Sequence, residues 1–129
     1  MEQLENNIFF WQKLDTLYLS SACKIDRPKG THHYKYANLV YPVDYGFLSD
    51  TMDSGQPPID VYRGSRKTSQ VDALVVSADI LRKDCKAKLL IGCTEKEVQD
   101  ILTFLNQTEF QKAILVRRGT NIPDWTPVD

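Results

Sequence analysis

Apolar positions recur at helical spacing near the start of the chain. Leu4, Ile8, Trp11, Leu14 and Tyr18 fall about one turn apart with polar residues between them, and Phe9 and Phe10 widen the stripe. Residues 3–18 therefore read as an amphipathic helix, which Ser20 and Ser21 end. From Cys23 the texture changes to short segments broken by Pro28, Gly30, Pro42, Gly46, Gly55, Pro57, Pro58 and Gly64. Such punctuation predicts compact β structure with tight turns, and strands are expected at 22–26, 33–36, 39–43, 59–63, 70–77, 86–92 and 113–116. Between the last two, Thr94-Glu-Lys-Glu97 has capping-box spacing, and Val98, Ile101, Leu102 and Leu105 follow on one helical face. Asn106 and Gln107 close that helix. The pattern predicts one α+β domain over residues 1–129: a helix in 1–21, a small barrel-like sheet with the late helix in 22–116, and a tail in 117–129.

Composition adds exclusions. The chain has 129 residues, 42% hydrophobic and 26% charged, with 16 Lys+Arg against 17 Asp+Glu for a net charge of −1. A chain of this length buries roughly two-thirds of its unfolded surface and needs no staple. The charge balance speaks against nucleic acid as a partner. Cys23, Cys85 and Cys93 form no C-x-x-C pair, and an odd number cannot all pair within the chain, which suits reduced thiols in the cytoplasm. The first residues lack the basic and apolar regions of a signal peptide, and no apolar run reaches the roughly 20 residues that cross a bilayer. A soluble, cytoplasmic protein with no membrane partner is expected.

Candidate chemistry gathers in the centre. Asp44, Asp50, Asp53 and Asp60 are followed by Asp79 and Asp84, with Lys29, Lys35, Arg63, Arg66, Lys67, Arg82, Lys83, Lys86 and Lys88 interspersed. Carboxylates converging from separate strands make hard-oxygen sites for Mg²⁺, and nearby cations hold phosphate. Adjacent His32 and His33 point to opposite sides of a strand and make a poor chelate. No zinc signature, G-x-S-x-G, P-loop or G-x-G-x-x-G is present. Asp60, between Ile59 and Val61, is expensive to bury unless a metal or cation meets it, and of no consequence if it faces water. Asp79 and Asp84 suit a solvated turn equally well, and Gly46 suits a turn that needs positive φ above an aromatic plug at Tyr45.

Two phrases go further. Lys24-Ile-Asp-Arg-Pro-Lys-Gly30 and Tyr41-Pro-Val-Asp-Tyr-Gly-Phe47, with Pro58-Ile-Asp-Val-Tyr62 after them, resemble the soluble family I inorganic pyrophosphatases, in a short, diverged form. The resemblance covers about residues 23–116 in order. It implies an OB-like five-stranded β-barrel flanked by an N-terminal and a C-terminal helix, assembled as a homo-oligomer, that uses Mg²⁺ to hydrolyse pyrophosphate. By the same resemblance Asp60, Asp79 and Asp84 would hold metal, Asp60 and Tyr45 would be catalytic, and Lys29, Lys35, Tyr45, Lys86 and Lys88 would contact substrate. Asp26 takes the place of a family glutamate. Whether Lys86 or Lys88 faces the site stays open.

The pattern also departs from the family. Two aspartates of its metal loop read as Gly55 and Pro57, and a Tyr-Lys pair near the end of the late helix reads as Leu105-Asn106. Asp50 or Asp53 could fill the gap. Two other functions therefore stand beside the hydrolase: a degenerate pyrophosphatase fold that binds a phosphorylated small molecule or a protein without turnover, and an interaction module built on the aromatic first helix.

Overall fold

The computed structural model describes residues 6–51 and 56–126. In chain order they form α1 (Ile8–Leu19), β1 (Cys23–Arg27), β2 (Asp44–Leu48), β3 (Ile59–Arg63), β4 (Val71–Asp79), β5 (Asp84–Ile91), α2 (Glu95–Leu105) and β6 (Gln111–Arg117), with a 3-10 turn at Ser49–Thr51. The strands make one six-stranded mixed sheet in the order β1-β2-β3-β5-β4-β6. Neighbours are antiparallel except β3 and β5, where Val61, Tyr62 and Arg63 lie beside Leu89, Leu90 and Ile91. No helix among the described residues is long and apolar enough to cross a membrane.

The α+β class is as expected, but the sheet is open and has six strands, not the five of a closed barrel. The reason lies at the outer edge of β4, which β6 occupies in continuous register from Ala73–Arg117 to Asp79–Gln111. That edge is no longer available to β1, so β1 and β6 stay at opposite margins of the sheet.

Strand alternation sends two sets of side chains to two faces. Leu48, Val61, Leu74 and Leu89 meet α1, whose Trp11 is fully buried among them. Tyr62, Val75 and Leu90 meet Val98, Ile101 and Leu105 of α2. The first helix begins at Ile8, not residue 3, because Asn7 caps it by accepting from the Phe9 and Phe10 amides; Leu4 lies outside the described residues. Asp15 fixes α1 to the sheet. Its carboxylate accepts two hydrogen bonds from the Arg118 guanidinium at 3.0 and 2.8 Å and one from the Val71 amide at 3.0 Å. The tail is tied down as well: the Ile8 amide donates to the Asn121 carbonyl, and Trp125 packs on Phe9.

The late helix forms with both halves of its capping box, Thr94 accepting from the Glu97 amide and Glu97 accepting from the Thr94 amide. The expected strands at 33–36 and 39–43 do not form; only an isolated bridge joins His32 to Val40. His33 diverts the chain there, since its Nδ1 accepts from the Lys35 and Tyr36 amides and draws them out of any ladder. Conversely, Asp44–Leu48 is a strand where a turn was expected. Gly46 has no positive φ; it lies beneath β1, where a Cβ would collide with the Lys24 backbone. Its requirement is close approach of two strands, not turn geometry.

Candidate functional site

The second helix covers only part of its face of the sheet. Beyond its C-terminal end the face opens into a cavity of about 490 Å³. Register decides what lines it. Tyr45 pairs with Tyr62 and Phe47 with Asp60 across β2–β3. The parallel step Val61–Leu89 puts Asp60 next to Lys88, and Lys86 pairs with Ser77. Four central strands therefore point Tyr45, Asp60, Lys86, Lys88, Ser77 and Asp79 into one space, with Asp84 at its edge.

Lys88 lies at the inner end. Its ammonium sits 5.4 Å from the Tyr45 ring centroid and 5.9 Å from that of Tyr62, within cation–π range. Burial pulls its pKa below the ordinary lysine value, opposed by Asp60, reinforced by Lys86 and Arg82, and opposed again by Asp84. A cation held this way lacks a full hydration shell and gains strongly from an incoming anion. Burial, then the nearby Asp60 charge, raises the pKa of Tyr45. It is a hydrogen-bond donor at neutral pH and cannot serve as a base. Tyr62 is raised too, by burial first.

The acids do less than their number suggests. Asp79 is buried, and its Oδ1 accepts from the Leu81 and Arg82 amides, both at 2.9 Å. That carboxylate shapes the β4–β5 turn, in which Lys83 takes a φ of 56°. Asp84 pairs across the turn with Asp79. Among the described residues no group of three His, Cys, Asp or Glu is placed to hold a metal ion. Asp60, Asp79 and Asp84 share a cavity without forming a ligand set.

Other expectations resolve individually. Lys86 and Lys88 both face the cavity, and Lys35 lines it from the loop before β2. Lys29 does not line it; its backbone amide donates to Asp44 at 2.8 Å. Asp26 is at the wall, as is Arg27, the next residue of β1. Asp50 is elsewhere, accepting from the Ala22 amide, so it does not replace the missing family carboxylates. Asp53 and Gly55 lie outside the described residues. Leu105 is core and Asn106 is the helix cap, bonded to Leu102 and Ala113, so neither takes up the role of the family's Tyr-Lys pair.

Sequence reasoning missed the aromatic wall. His33 stacks on Tyr34 at 5.0 Å and lies nearly parallel to Tyr41 at 6.2 Å; Tyr41 contacts Tyr45 at 5.4 Å, and Tyr45 contacts Tyr62 at 4.9 Å. The series runs from Tyr34, 71% exposed, to Tyr62, 1% exposed. Its signal in the sequence is the aromatic density of His33-Tyr34-Lys35-Tyr36 and Tyr41, where the pattern predicts strands at 33–36 and 39–43. His33 is held neutral, by burial first and then by Arg27, Arg82, Lys35 and Lys88. Thr108, also at the wall, has a buried hydroxyl with no partner among the described residues. A scan of known protein families and a search of curated proteins both return no match to this chain.

Proposed function

We propose that this cavity binds pyrophosphate or a related phosphoanhydride and, with Mg²⁺, hydrolyses it to phosphate in the manner of the inorganic pyrophosphatases. One observation supports the reading above the rest: Tyr45, Asp60, Lys86 and Lys88, from three different strands, converge on one cavity with a partly desolvated ammonium at its inner end. Lys88, Lys86 and Arg82 would take the phosphoryl charge, and Tyr45 would donate to a phosphoryl oxygen. The described carboxylates make no cage for a resident ion. Mg²⁺ would arrive on the substrate, since one or two carboxylates together with phosphate oxygens are an ordinary environment for it. A cytoplasmic location and assembly into a homo-oligomer belong to the same reading and rest on the resemblance.

A second reading is binding of a phosphorylated small molecule without turnover. Pro57 in place of a metal-loop aspartate favours it, as does Asp50, which accepts from the Ala22 amide instead of filling that gap. Phosphate release from pyrophosphate at saturating Mg²⁺, measured for the wild type and Asp60→Asn, separates the two. Release that falls at least about 100-fold in the variant supports the hydrolase. Binding of pyrophosphate with no release from either protein supports the second reading, and no binding at all refutes both.

A further inference from the structure

The cavity is larger and more aromatic than two phosphoryl groups require. Its volume of about 490 Å³ lies in the range of sites that enclose whole drug-sized ligands. The cations and the aromatic rings are also arranged in a particular way. Lys88 stands at the inner end, against the buried Tyr62 and the half-buried Tyr45. The outer end carries Tyr34, a large ring left 71% exposed although it lines the cavity.

Tyr34 is not a loose surface side chain. His33 backs it at 5.0 Å with 17° between the rings, and Arg27 stands 5.7 Å from its ring centroid. His33 is itself fixed, because its Nδ1 accepts from the Lys35 and Tyr36 amides at 3.0 and 3.2 Å. With His33 stacked on it and Arg27 over it, the Tyr34 ring is pre-positioned yet still 71% exposed, a platform on which a flat heteroaromatic ring stacks without ordering the protein first.

We infer that the ligand of this cavity is a nucleoside diphosphate or triphosphate, its base stacked at Tyr34 and its phosphates directed inward to Lys86 and Lys88. The inference rests on the phosphoanhydride reading above and narrows its substrate class. The unpartnered Thr108 hydroxyl at the wall provides a further polar contact for a ligand longer than pyrophosphate.

Calorimetric titration of the full chain with ADP, methyl diphosphate and pyrophosphate, each with and without Mg²⁺, tests it. ADP and methyl diphosphate share the diphosphate and differ in the nucleoside. ADP should bind at least about tenfold more tightly than methyl diphosphate. Tyr34→Ala should remove that preference, Tyr34→Phe should keep it, and the affinity for methyl diphosphate should be the same in all three proteins. Tyr34 is exposed, so neither substitution threatens the fold. Equal affinity for ADP and methyl diphosphate, or a preference that survives Tyr34→Ala, overturns the inference while leaving the proposed function intact. Failure of all three ligands to bind overturns both.

Discussion

The same strands build two unlike faces. Under α1, Leu48, Val61, Leu74, Leu89 and Trp11 close into an apolar layer. The opposite face begins the same way, with Val75 and Leu90 under α2, and then changes character within two residues along each strand. On β5 Leu90 is followed outward by Lys88 and Lys86; on β3 Tyr62 gives way to Asp60; on β4 Val75 gives way to Ser77 and Asp79. Burying an ionisable group is costly unless it is paired, and this face buries Asp79 and half-buries Asp60, Lys86 and Lys88 near it. A sheet selected only for stability would continue the apolar pattern. The difference marks one face as support and the far half of the other as the polar and aromatic wall of the cavity.

Breaking the supporting face should have the larger effect. Trp11 is fully buried, with its indole N–H donating to Asn6 at 2.6 Å. Trp11→Ala should cost about 3–5 kcal/mol in urea denaturation. It should leave the pyrophosphate affinity of the folded fraction unchanged, because α1 contributes nothing to the cavity wall. A variant that lost affinity while keeping its stability would show that the faces are not separable.

The cavity face should respond in the opposite sense. Lys88→Met removes the ammonium while keeping most of the stem volume. Pyrophosphate affinity should fall about 10- to 100-fold by calorimetry, the value of a charge-assisted contact of roughly 1.5–3 kcal/mol. Stability should change by less than about 1.5 kcal/mol, since relief of the partly buried charge offsets the loss of a cation near Asp60. Intact affinity in this variant would place the phosphoryl groups elsewhere.

The supporting face was also the more legible one. Helix periodicity around Trp11 and the Thr94–Glu97 cap are local signals, and the structure reproduces both. Strands β3, β4 and β5 show their alternation directly. What could not be read were features set by contacts distant in sequence. Nothing local says that β6 takes the edge of β4, and this pairing is what keeps the sheet open. Gly46 looked like a turn residue because its partner, the Lys24 backbone, is far away in sequence. In the site, Asp60, Lys86 and Lys88 stand out in the sequence as charges and Tyr45 through the resemblance, and register brings all four to one cavity. Asp79 also reaches the cavity, with its Oδ1 engaged by the turn, whereas Lys29 falls outside the cavity lining.

The loop carrying His33 permits a finer test, because it joins the cavity rim to the fold through one titratable ring. Its Nδ1 accepts two backbone amides, so a proton there would set a donor against two donors. Burial and the surrounding cations Arg27, Arg82, Lys35 and Lys88 also disfavour the charged ring, and its folded pKa lies below the ordinary 6.5. As pH falls below about 6.5 the unfolded chain takes up a proton that the native chain refuses. Stability contributed by neutral His33 is therefore present above that pH and declines as pH falls through the folded value. His33→Asn retains an acceptor near Nδ1 and does not titrate, so urea midpoints between pH 7.5 and 5 should fall less in the variant than in the wild type. Identical slopes would mean that the ring is not the anchor of the rim. A bound polyphosphate should act against this decline, since its negative charge beside Arg27, Lys35 and Arg82 offsets the field that keeps His33 neutral. The native ring then gains its proton at a higher pH, and the pH-dependent loss of stability shrinks when ligand is present.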